Sequence, residues 1–143
     1  MNAKEYLNSY RRALMKVKRY GERIEQVQTL LRSVDLDGLP HGTAIRKPTE
    51  EYALNLAILK QEYVMAQLEA ETIRQEVATT VEKLEDEKSK ELLYSRYILL
   101  LPWSKVARRL DVLRPGKEYE LKSVIGYMHR KALRELEELW NIS

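Results

Sequence analysis

The chain of 143 residues contains no cysteine and no phenylalanine, only two histidines, four prolines and five glycines. Without cysteine there can be no disulfide framework and no thiolate chemistry, and a cytoplasmic location is the expectation. The two histidines, His41 and His129, are far apart in sequence, so an imidazole metal site is not expected and no metal residue is assigned. No apolar run approaches the roughly 20 residues that span a bilayer. The opening Met-Asn-Ala-Lys-Glu-Tyr lacks a signal-peptide core. Neither a Gly-rich phosphate loop nor a nucleophile beside a base is found, so no catalytic residue and no cofactor are assigned, and an enzyme is not expected.

What the chain does contain is charge, at 33% of residues, and nine tyrosines. The scarcity of glycine and proline beside this charge suits long, well-solvated helices with a thin core. Net charge is only +3, but its distribution is uneven. Residues 2–32 hold eight basic and three acidic side chains, 48–91 five and eleven, and 105–134 nine and three. The acidic middle can pair with the basic start, whereas the basic C-terminal segment has no such partner in sequence and is left for phosphates.

In chain order, Asn2 and Glu5 form a capping-box pair opening a helix expected to reach about residue 32. Its seam is Leu7, Tyr10, Leu14, Val17, Gly21, Ile24, Val27 and Leu31. Gly21 on that seam either admits a close neighbour or weakens the helix. Residues 33–48, rich in Asp, Gly and Pro, read as a loop. Thr49 is the expected N-cap of a second helix, with seam Tyr52, Leu56, Leu59, Tyr63, Ala66, Ala70, Ile73, Val77, Thr80 and Leu84. That helix should run about 50 Å. The two helices fold most simply as an antiparallel hairpin over 1–86, with dimerisation through the same seams as the competing arrangement. Glu62, Glu69 and Glu76 recur as a solvated stripe.

The run 85–90 is a charged break, after which Glu91–Leu100 is a third helix too apolar to stay uncovered. Trp103, Val106, Ala107 and Leu110 then give the buried stripe of a short helix, with Trp103 read as a core anchor. Leu121, Ile125, Met128, Ala132, Leu136 and Leu139 give a longer stripe. The opposite side carries Lys122, Ser123, Tyr127, Arg130, Lys131 and Arg134. A short helix, a turn and a helix with a basic outer face describe a helix-turn-helix over 87–143. The fold expected is therefore all-α, a long coiled-coil-like hairpin followed by a DNA reader. Lys105, Arg108, Arg109, Arg114, Lys117, Lys131 and Arg134 are assigned to phosphates, and Lys122, Ser123, Tyr127 and Arg130 to the major groove.

The segments Leu92-Leu-Tyr-Ser-Arg-Tyr-Ile, Trp103-Ser-Lys-Val-Ala-Arg-Arg-Leu and Ser123-Val-Ile-Gly-Tyr-Met-His-Arg-Lys-Ala-Leu resemble sigma-factor region-four-like helix-turn-helix domains. With the opening Asn2-Ala-Lys-Glu-Tyr-Leu, they resemble small phage and prophage proteins of Gram-positive bacteria related to the ArpU and RinA types of late-gene transcription regulator. The resemblance implies duplex DNA and host RNA polymerase as partners, a homodimer, and a reading helix using Lys122, Ser123, Ile125, Gly126 and His129. The sequence departs from that pattern at Pro102, where a capping threonine is usual, and over 111–120, where the turn is longer. The rival readings are a small-terminase-like packaging protein, in which the coil usually follows the DNA-binding part, and a plain coiled-coil interaction module.

Overall fold

The computed structural model describes residues 2–36, 48–111 and 120–142. Among them every element is helical and no strand occurs: Ala3–Leu7 (α1), Ser9–Leu36 (α2), Pro48–Glu82 (α3), Glu87–Leu93 (α4), Trp103–Leu110 (α5) and Leu121–Ile142 (α6). A π-helical turn, Tyr94–Ile98, runs on from α4. No helix among the described residues is long and apolar enough to cross a membrane.

The capping box closes as expected. Asn2 Oδ1 accepts from the Glu5 N–H at 2.8 Å, and Glu5 Oε2 accepts from the Asn2 N–H at 3.3 Å. The single first helix is instead interrupted at Asn8, where Ser9 Oγ donates to the Tyr6 carbonyl at 2.6 Å and so competes with the main-chain ladder. It resumes as α2 and reaches Leu36, beyond the expected end near residue 32. The rest of the loop, including His41, lies outside the described residues. α3 opens on Pro48, whose fixed φ suits a first helical position, so Thr49 lies inside the helix and is not its cap. α3 is 35 residues long and ends at Glu82. The charged break is confined to the residues before Glu87: Asp86 caps α4, accepting from Lys88 N–H at 3.4 Å and Ser89 Oγ at 2.9 Å, and from there the run is helical.

The chain divides into two units, Ala13–Ala70 and Met1–Arg12 with Glu71–Ser143. In the first, Leu59, Ala66 and Ala70 of α3 are buried, while Leu14, Val17, Ile24, Val27 and Leu31 of α2 are half-buried. The Tyr63 ring lies against Gly21, where an added Cβ would stand 3.5 Å from it, an ordinary contact, so the ring packs on α2 there without the glycine being required. Lys16 Nζ meets Glu69 Oε2 at 3.5 Å, a pairing of the basic and acidic segments. The outer side of α3 is also apolar. Leu54, Ile58, Met65 and Leu68 are exposed by 64%, 46%, 66% and 59%. A helix with apolar side chains on both faces calls for cover on both.

The second unit holds the main core. Val106, Ala107 and Leu110 of α5 and Ile125, Ala132 and Leu136 of α6 are buried with Leu92, Leu93, Tyr97 and Ile98, in agreement with the two sequence stripes. The cover extends further than those stripes. Ala3 and Leu7 of α1 and Val77, Val81 and Leu84 join the same cluster. Tyr6 makes an edge contact with Trp140 at 5.1 Å and a 2.9 Å hydrogen bond with Thr80 Oγ1, and Ala3 N–H donates to Glu137 Oε1 at 3.2 Å. Leu99 and Leu100 remain exposed, contrary to the expectation for the third helix, because the π-turn ends the helical run at Ile98.

Candidate nucleic-acid interface

α6 buries Ile125, Ala132 and Leu136, and spacings of four, three and four put Ser123, Tyr127, Arg130 and Arg134 in one row on its far side. All four are exposed, Tyr127 by 60%. Gly126 lies beneath the Arg130 guanidinium, where an added Cβ would stand 3.5 Å from Nη1, an ordinary contact. Ser123 Oγ donates to the Glu120 carbonyl at 3.1 Å, which keeps the hydroxyl at the opening of the helix and leaves its oxygen able to accept. Lys122 is exposed just ahead of the row. On α5, Lys105 and Arg108 are exposed. None of Lys105, Arg108, Lys122, Arg130 and Arg134 has an ion pair among the described residues.

Two of the assigned phosphate contacts are already engaged. Arg109 Nη2 and Nε lie 2.7 and 2.9 Å from Glu91 Oε1, and Nε also donates to Ser95 Oγ at 3.0 Å. Lys131 Nζ lies 3.6 Å from Asp86 Oδ2 and 3.8 Å from Glu135 Oε1. The expectation that this basic segment lacks acidic partners is therefore corrected. α4 and its cap bring Glu91 and Asp86 to it, a pairing that local charge counting does not reveal. The Asp86 carboxyl is held below the usual range, chiefly by the Ser89 hydroxyl, with Lys131 adding to it. Arg114 and Lys117 lie outside the described residues.

α5 opens on Pro102 with no side-chain cap, as the sequence implies. Its register is fixed from the other side. Trp103 is half-buried, the Arg96 guanidinium carbon lies 4.4 Å over its ring, and Arg96 Nη1 donates to the Leu101 carbonyl at 3.0 Å. The Trp103 ring meets His129 edge-on at 4.8 Å. His129 in turn is hydrogen-bonded through Nε2 to Tyr97 Oη at 2.6 Å and stacked on that ring. His129 is thus a packing residue between α6 and the π-turn, its Nε2 occupied by a tyrosine.

Burial, then the positive charges of Lys4, Arg96 and Arg130, push His129 down from 6.5 to about 4. Burial also raises Tyr97, so the pair is uncharged at neutral pH. The unfolded chain takes up the imidazole proton near pH 6.5 and the folded chain only near 4, so this contribution to stability is full above pH 6.5 and is lost as pH falls toward 4. We expect the melting temperature to fall across that window, and to fall less steeply in His129→Gln. Equal slopes in the two proteins would refute the assignment.

Two groups of residues escaped the sequence reading. Lys4 and Arg96 act on His129, and Arg11 lines a cleft with Arg96, yet all three sit outside the C-terminal charge block and no local pattern ties them to it. The outer seam of α3 was legible: Leu54, Ile58, Gln61, Met65 and Leu68 step by four, three, four and three, a second heptad register opposite the first. Comparison of the chain with protein-family models, with curated proteins and with solved structures finds no match in any of the three.

Proposed function

We propose that the protein is a phage-derived transcriptional regulator that reads duplex DNA, with α5 and α6 as a helix-turn-helix and α2–α3 as an antiparallel hairpin. The observation that carries this reading is the exposed row Ser123, Tyr127, Arg130 and Arg134 on α6, with Lys105 and Arg108 also exposed on α5, which packs on α6. Hydroxyl, phenol and guanidinium groups on one face are the donors that base edges and phosphates accept. On α5, Arg108 also lies in the last turn, where the helix dipole favours a cation, so the row on α6 carries the argument. The contacts of 16 with 69 and 21 with 63 support the antiparallel hairpin.

The regulator acts as a homodimer joined through the outer seam of α3. In a parallel pair, Ile58 and Met65 take the a positions and Leu54, Gln61 and Leu68 the d positions; Ile58 at a with Leu54 and Leu68 at d match the pattern that favours two strands. Across that pair Ala57 faces Glu62 and Val64 faces Glu69, so no like charges meet in this stretch.

Retention of a phage late-region fragment pool, sequenced across a salt titration, tests the reading. One enriched site with steep salt dependence is expected. Arg130→Ala should erode preference for that site by roughly 1–3 kcal/mol, and Lys105→Ala should weaken all duplexes equally with a salt slope lower by about one. Retention without enrichment would point to DNA handling without sequence reading, and absence of retention at low salt would end the proposal.

A further inference from the structure

A cleft of about 330 Å³ lies on the second unit, lined by Asn8, Arg11, Arg96, Tyr97, Leu100 and Pro102, none of them in the α6 row. Its polar lining residues are two arginines, an asparagine and a tyrosine, and among the described residues no Asp or Glu lines it. Arg96 is fixed in place by its bond to the Leu101 carbonyl and by the Trp103 ring beneath it, which leaves most of its five donors for another partner. Arg11 is exposed and has no hydrogen bond or ion pair among the described residues, whereas its neighbour Arg12 donates to the Glu5 carbonyl at 3.0 Å.

The backbone of the far wall is equally determined. Leu100 adopts a left-handed conformation, φ 57°, which a residue with a Cβ disfavours. The Leu101 N–H bond to the Ser95 carbonyl, 3.0 Å, holds the chain there. The π-turn thus sends Tyr97 to His129 and Arg96 to the entrance of α5. The positive potential continues beyond the cleft, because Lys4, Arg96 and Arg130 all act on His129, the partner of Tyr97.

Two arginines that face a common space without an acid repel each other, and an anion between them relieves that cost. Guanidinium groups suit phosphate oxygens, which they bind in bidentate fashion. The cleft adjoins the start of α5, the position from which the first helix of a helix-turn-helix crosses the phosphate backbone. We propose that this cleft seats a backbone phosphodiester of the DNA duplex, gripped by Arg11 and Arg96 outside the reading helix. This inference rests on the duplex-binding reading above.

The test uses the full chain with Arg11→Glu, Arg11→Ala and Arg11→Lys, binding both the enriched site and an unrelated duplex. Arg11 is exposed, so the variants should melt like the parent. Expected is a loss of roughly five- to tenfold in affinity for Arg11→Ala, equal on both duplexes, with the salt slope reduced by about 0.9. Arg11→Glu should lose more, and Arg11→Lys should retain most of the affinity. Unchanged affinity and slope in Arg11→Glu, with the parent binding normally, would overturn the seat and leave the duplex reading intact. Failure of the parent to bind any duplex would overturn both. A seat made for free phosphate would appear as stabilisation by millimolar inorganic phosphate, abolished in Arg11→Glu, with duplex affinity unaltered; that result too overturns the proposal.

Discussion

Leu136→Ala is expected to lower the unfolding free energy by about 2–5 kcal/mol, the largest stability effect of any single change considered. Leu136 is fully buried on α6, in the cluster that gathers α1, the end of α3, α4, α5 and α6. Truncation leaves a void among helices whose positions are each fixed by several others, so little collapse can fill it. Chemical denaturation measures the loss directly. The contrast lies two residues away: Arg134→Ala, exposed on the opposite side of the same helix, should shift stability by no more than about 0.5 kcal/mol. A Leu136→Ala protein as stable as the parent would mean that α6 is not seated as described. Duplex binding should follow the same division. Leu136→Ala would weaken it only where the unit begins to unfold, and Arg134→Ala would weaken it at every temperature.

The second large effect concerns assembly. Ile58→Glu with Met65→Glu is expected to turn a dimer into a monomer of 16.9 kDa, read by light scattering on a sizing column. Ile58 and Met65 occupy successive a positions of the outer seam, so each substitution would place two carboxylates in facing core positions of the pair. The inner face of α3, where Tyr63 meets Gly21, is untouched, so helix content should persist. A parent protein that runs as a monomer at tens of micromolar (about the range where a weak coiled coil already associates) would sink the dimer; so would a double variant that stays dimeric. A dimer also predicts that an operator with two half-sites loses affinity in this variant while a single half-site does not.

Much of this protein could be read from its residues because the helices are long and their apolar positions periodic. The stripes Val106, Ala107, Leu110 and Ile125, Ala132, Leu136 are buried as their spacing requires, and the Asn2–Glu5 cap forms as written. Where the reading missed, local competition or distant partners decided. Ser9 interrupts the first helix through one hydroxyl bond, which no periodicity registers. The π-turn at Tyr94–Ile98 shifts register by one residue, leaving Leu99 and Leu100 outside a core that their hydropathy would have them enter.

The candidate interface divides in the same manner. That Ser123, Tyr127, Arg130 and Arg134 share one face of a helix follows from spacing alone, since side-chain direction in a helix is set by position. Which cations are left without an acid does not follow. Arg109 and Lys131 look as available in sequence as Arg108 and Arg130, but Glu91 and Asp86, brought alongside when α4 packs in the core, engage them. Likewise Arg11 and Arg96, 85 positions apart, share a cleft only because the start of α2 and the π-turn face one space. By itself, then, the sequence determined the helices, their buried faces and the row of donors on the last of them, because these depend on periods of three and four residues. Tertiary packing alone decided which charges are paired, where His129 lies and which basic side chains converge, because each depends on contacts between segments that no local period connects.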